Sequence, residues 1–123
     1  ATSETKPAAE TKITPEQLVL KQLDAYNDRD IEAFLDTYSD DIKIYDFPDR
    51  LTISGKKEMR KMFTEFFQMN PNLNARVGKT MVQGNFVIIH EVVSGLANGS
   101  TLSVVAIYEV DENNQIKYLS FLW

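Results

Sequence analysis

Asp30 to Pro48, DIEAFLDTYSDDIKIYDFP, changes its apolar period midway, and that change decides the fold. Asp30 suits an N-cap, and Ile31, Phe34, Leu35 and Tyr38 then fall at i, i+3, i+4 and i+7, one helical stripe. Ser39, Asp40 and Asp41 break it. From Ile42 the period is two: Ile42, Ile44 and Asp46 share one face of a strand, and Lys43, Tyr45 and Phe47 share the other. Lys43 marks its face as partly wet, which puts Asp46 on the drier side. A carboxylate there is costly unless it is paired, hydrogen-bonded or protonated, and its pKa is expected to rise. Asp46 is therefore the first candidate for chemistry. The competing reading is a strand-end aspartate that bonds nearby backbone amides before Phe47-Pro48.

Working outward, the first helix is announced by Thr14-Pro15-Glu16-Gln17: a cap, a proline suited to the first helical position, and a glutamine placed for a capping box. Asn27-Asp28-Arg29 ends it. After a short segment from Leu51 to Ser54, Gly55 and Glu58 open a third helix, with Met59, Met62, Phe63, Phe66 and Met69 as its apolar face. From Leu73 the pattern is β: Leu73 to Gln83, Phe86 to Gly95, Ser100 to Asp111 and Gln115 to Trp123 read as four strands. Gly84-Asn85, Asn98-Gly99 and Glu112-Asn113-Asn114 are the turns, and links this short require antiparallel neighbours. The strands are apolar on both faces. One face packs on the helices, and the outer face is expected to meet a second copy of the chain.

The 123 residues make one domain, placed at 14–123 behind a small, polar tail at 1–13 that is expected to be mobile. The net charge is −5 with no cluster of Lys and Arg, so nucleic acid and membrane surfaces are poor partners. There is no cysteine and one histidine, which excludes disulfides, thiolate ligands and a multi-histidine metal site within one chain. No metal and no cofactor is expected. The chain does not open with Met. A secretory signal removed ahead of it points to a periplasmic or secreted location; a trimmed chain leaves the cytoplasm open.

Helix, helix, strand, helix and four strands make an α+β fold with the helices on one face of a strongly curved antiparallel sheet. With Ala25-Tyr26-Asn27, Arg29 to Ala33, Tyr38 to Asp41, Tyr45 to Pro48, Gly55, Ala106 to Val110 and Phe121-Leu122-Trp123, the chain resembles the nuclear transport factor 2-like superfamily. The branch is SnoaL-like and ketosteroid-isomerase-like. The resemblance implies a cone-shaped domain, a pocket between sheet and helices, and a homodimer. It also implies a function somewhere between small-molecule binding and isomerase, cyclase or dehydratase chemistry on an apolar or polycyclic substrate.

Position by position, Asp46 matches the isomerases' general base, while their oxyanion-hole tyrosine falls on Gln22 and their protonated aspartate on Ala106. The usual electrophile is therefore missing, and an efficient ketosteroid isomerase is not expected. His90 and Glu91 are the other candidate catalytic groups and, being adjacent on a strand, face opposite ways. A two-residue turn at Asn98-Gly99 sets Glu91 opposite Ala106 and inside the pocket; a bulge or a longer loop reverses the assignment. Tyr26, Phe63, Phe66, Tyr108, Phe121 and Trp123 are the aromatic candidates for the pocket wall, with ordinary core packing as the alternative for each.

Overall fold

The computed structural model describes residues 13–123. The tail expected at 1–13 lies outside the described residues except for Ile13, which packs against the core. Helix α1 spans Pro15–Asp28 with both halves of the capping box formed. The Gln17 amide N–H donates to Thr14 Oγ1 (3.1 Å), and the Thr14 N–H donates to Gln17 Oε1 (2.9 Å). Arg29 turns left-handed (φ 54°) and ends the helix. Its side chain donates to the Leu73 carbonyl, while Asn27 exchanges two hydrogen bonds with the Ala75 backbone. Asn27 and Arg29 thus clamp the end of α1 to the first strand of the meander.

Asp30 caps α2, Ile31–Asp36, by accepting from the Ala33 amide. The helix stops earlier than its apolar stripe suggests, because Tyr38 already belongs to strand β1, Tyr38–Asp46. The Thr37 carbonyl accepts from the Ile116 N–H, and Tyr38 pairs with Ile116. Tyr38 keeps its place in the core, but as a strand residue. Arg50–Ser54 is a strand, β2, where the pattern shows only a short segment. Helix α3 (Lys56–Met69) and strands β3 (Asn74–Gln83), β4 (Phe86–Ser94), β5 (Leu102–Val110) and β6 (Ile116–Leu122) complete the chain.

The six strands run β2-β1-β6-β5-β4-β3. The expectation of a wholly antiparallel sheet is corrected at one pair: β1 lies parallel to β6, because the chain crosses the whole meander before returning beside it. Irregularities in pairing at Ile44/Tyr45, Val77/Thr80 and Glu109/Val110 bend the sheet around the helices. Phe34 is the hub of the layer between them, its ring 5.0 Å from Phe63, 5.2 Å from Tyr38 and 5.5 Å from Phe67. Helix α3 turns Met59 and Phe67 fully inward, and Met69, expected on that face, is 69% exposed. At 100° per residue Met62 and Met69 fall on one flank of the stripe and Phe67 on the other, and the core lies toward Phe67.

The β4–β5 register differs from the two-residue hairpin by two positions: Glu91 faces Val104, and Ala106 faces Ile89. The shift is even, so every side chain keeps its face. The longer loop is held by Gly95 (φ 76°), where an added Cβ would lie 1.8 Å from the Asn72 carbonyl oxygen. Gly95→Ala is therefore expected to cost more than about 1 kcal/mol and clearly more than Gly84→Ala. Gly84 shares the positive φ but has open space around it. Urea unfolding of both variants checks the difference, and equal costs would contradict the close approach.

Candidate functional site

Between the concave sheet face and helices α1 and α3 lies a cavity of about 270 Å³. Each element contributes through its period. Helix α1 offers Gln22 and Tyr26, one turn apart, and α3 offers Phe63 and Phe66. The alternating inward positions of β4 and β5 offer Glu91, Val93, Val104 and Tyr108. Phe121 on β6 and Trp123, just past that strand and largely exposed, complete the lining, their rings 5.7 Å apart.

Two hydrogen-bonded pairs give the cavity its polarity. The Tyr108 hydroxyl donates to Glu91 Oε2 at 2.7 Å, and the Tyr38 hydroxyl donates to Gln22 Oε1 at 2.7 Å. Gln22 uses its amide nitrogen on the Val19 carbonyl (3.1 Å). Glu91 is 4% exposed, and burial pushes its carboxyl up to about 7, partly offset by the Tyr108 hydrogen bond. Burial, reinforced by the Glu91 charge, raises the phenols of Tyr26, Tyr38 and Tyr108 well above their ordinary range, so all three stay protonated.

Of the candidates read from the sequence, Gln22, Tyr26, Phe63, Phe66, Glu91, Tyr108, Phe121 and Trp123 meet at this cavity. Three do not. Asp46 stands outside the lining, 30% exposed, accepting from Trp123 Nε1 (2.9 Å) and paired with Arg50 (3.3 Å). The alternation of β1 is as expected, but the strand reaches the rim of the cone before it reaches Asp46, so the dry environment foreseen for that carboxylate is found at Glu91 instead. His90 is on the outer sheet face, exposed, with Nε2 2.7 Å from Ser103 Oγ. Ala106 is fully buried but does not line the cavity, although Val104 and Tyr108, two positions to either side on the same face of β5, do. Phe34, Tyr38 and Leu119 are wall residues that the sequence reading leaves in the core; they serve both.

The comparisons agree with this architecture. Residues 19–119 match the model of the SnoaL-like domain, and the chain belongs to that family. No curated protein matches it. Among solved structures it is similar to an uncharacterised cystatin-fold protein of Novosphingobium aromaticivorans (TM-score 0.83, 19% identity, 91% of this chain and 100% of that one). It is also similar to a candidate polyketide cyclase of Sinorhizobium meliloti (TM-score 0.72, 19% identity, 85% and 93%). A third is a candidate ketosteroid isomerase of Kribbella flavida (TM-score 0.74, 18% identity, 89% and 76%). At these identities the likeness is one of fold, the nuclear transport factor 2-like cone.

The raised Glu91 carboxyl predicts a pH dependence. As pH rises from the ordinary 4.5 to about 7, the unfolded chain releases a proton that folded Glu91 retains, so the fold loses stability across that window. Below it both states are protonated and the term vanishes. Glu91→Gln keeps an acceptor for Tyr108, and relative to wild type it is expected to gain about 3 kcal/mol between the two ends of the window. Denaturant unfolding at a series of pH values measures this difference. A constant difference would mean that Glu91 ionises as freely folded as unfolded.

Proposed function

We propose that the protein binds a small, largely apolar, ring-containing molecule in the cone, with Glu91 and Tyr108 receiving its polar end. The observation that carries this reading is a cavity walled by aliphatic and aromatic side chains in which Glu91 is the single acidic or basic residue among the described residues. The names given to the Sinorhizobium and Kribbella structures support a flat or polycyclic ligand class.

A second reading is enzymatic, and the Glu91 carboxyl near 7 favours it. Such a group takes a proton from an acidic C–H and returns it elsewhere on the same molecule. Efficient steroid isomerisation also needs donors to the developing oxyanion. Gln22 commits its amide oxygen to Tyr38 and an amide hydrogen to Val19, and Ala106 offers no donor.

Trp123, the single tryptophan, lines the cavity and reports its occupancy. Titration with a 3-oxo-Δ5 steroid is expected to change Trp123 fluorescence, while the absorbance of the conjugated product grows slowly. Loss of one oxyanion donor alone removes about 10² to 10³ in rate. Rapid conversion that disappears in Glu91→Gln would replace the binding reading with the enzymatic one. No fluorescence change with any ring-containing ligand would remove both.

The outer sheet face carries Ile88, Val92, Val105 and Ile107 half-buried and Leu122 exposed, and we take it as the contact of a homodimer. Sedimentation at micromolar concentration is expected to give the dimer mass, and Ile107→Glu the monomer. A monomeric wild type would overturn this.

A further inference from the structure

The cavity contains an acid that no cation among the described residues answers. Glu91 projects from the middle of β4, and only its Oε2 is engaged, by Tyr108. Oε1 has no protein partner among the described residues, and Glu91 is part of the wall, so this oxygen is left to whatever occupies the space. The titratable groups that surround it are Tyr26 from α1, Tyr38 from β1 and Tyr108 from β5, all neutral phenols. Helix α3 contributes Met62, Phe63 and Phe66, and β6 contributes Leu119 and Phe121, none of which carries charge. Arg50, on β2, is directed at Asp46.

An acid in such a place has two ways of becoming stable: it keeps its proton, or it meets a cation. The wall is built for the second. Tyr26, Tyr38, Phe63, Phe66, Tyr108 and Phe121 line the space with aromatic rings, whose negative quadrupole attracts a positive centre, most strongly where water is excluded. A carboxylate ligand meets repulsion from Glu91 and finds no compensating Lys, Arg or His in the wall among the described residues. A neutral ligand gains the apolar contacts alone. We infer that the cavity selects an apolar amine, with its protonated nitrogen against Glu91 Oε1 and its hydrocarbon part among the rings. This deepens the ligand-binding reading and depends on it.

The test uses three probes of one shape, naphthylmethylamine, naphthylmethanol and naphthoate, titrated into wild type and Glu91→Gln at about pH 8, where the carboxyl is ionised. Calorimetry and Trp123 fluorescence give the affinities. The amine is expected to bind about tenfold more tightly than the alcohol, and the carboxylate more weakly than either. In Glu91→Gln the amine's advantage over the alcohol is expected to vanish. Should the variant fail to fold, the wild-type order of the three probes decides alone. Equal binding of amine and alcohol, or tighter naphthoate, overturns the amine inference and leaves the cavity a general apolar site. If none of the three binds, the ligand-binding reading falls and this inference falls with it.

Discussion

A buried carboxyl group bonded to one phenol, with no cation beside it among the described residues, is the constraint on which the rest of the cavity depends. Glu91 occupies the centre of a strand whose inward neighbours are Ile89 and Val93, so its ionised form is opposed by burial on every side. The hydrogen bond from Tyr108 lowers that cost without removing it. Everything nearby is arranged so that no second charge forms: three tyrosines remain neutral, and Gln22 is satisfied by Tyr38 and Val19. One Glu91 oxygen is thus met by Tyr108, and the other, without a protein partner among the described residues, is left to the cavity.

The fold was legible in the sequence wherever a local rule and the tertiary structure agree. Thr14 and Asp30 cap the helices they appear to cap, and four β segments lie where their turns place them. Departures occur where pairing across the sheet overrides the local pattern. Tyr38 continues a helical stripe in sequence, yet its backbone joins β6. Arg50–Ser54 has little periodicity of its own and becomes a strand by pairing with β1. Met69 fits the stripe of α3 by spacing, but the core lies toward Phe67.

The site was half legible. Its aromatic wall follows from amphipathic periods, and the opposite facing of His90 and Glu91 follows from alternation alone. Choosing between Asp46 and Glu91 required the depth of each strand in the cone, which no period encodes. A signal was present nonetheless: Glu91 sits mid-strand with apolar residues two positions away on either side, whereas Asp46 ends its strand beside Phe47-Pro48. The acid at a strand end was free to find partners at the rim, and did so in Trp123 and Arg50. Exposed as Arg50 is, that ion pair contributes little to stability. Its geometric effect is larger, since Asp46 fixes the indole that forms part of the cavity wall.

Phe34, Tyr38, Ile53 and Leu119 belong at once to the buried core and to the cavity wall, so there is no boundary between the part of this molecule that folds and the part that receives. A molecule seated against these side chains adds dispersion contacts to the same surfaces that hold the core together. Whatever fills the cone therefore completes the packing of the core, and shifts the folding equilibrium by an amount that grows with the logarithm of its concentration over Kd. In this architecture occupancy and folding are two readings of one equilibrium, and the chain's resistance to heat is itself an assay for any molecule that fills the cone.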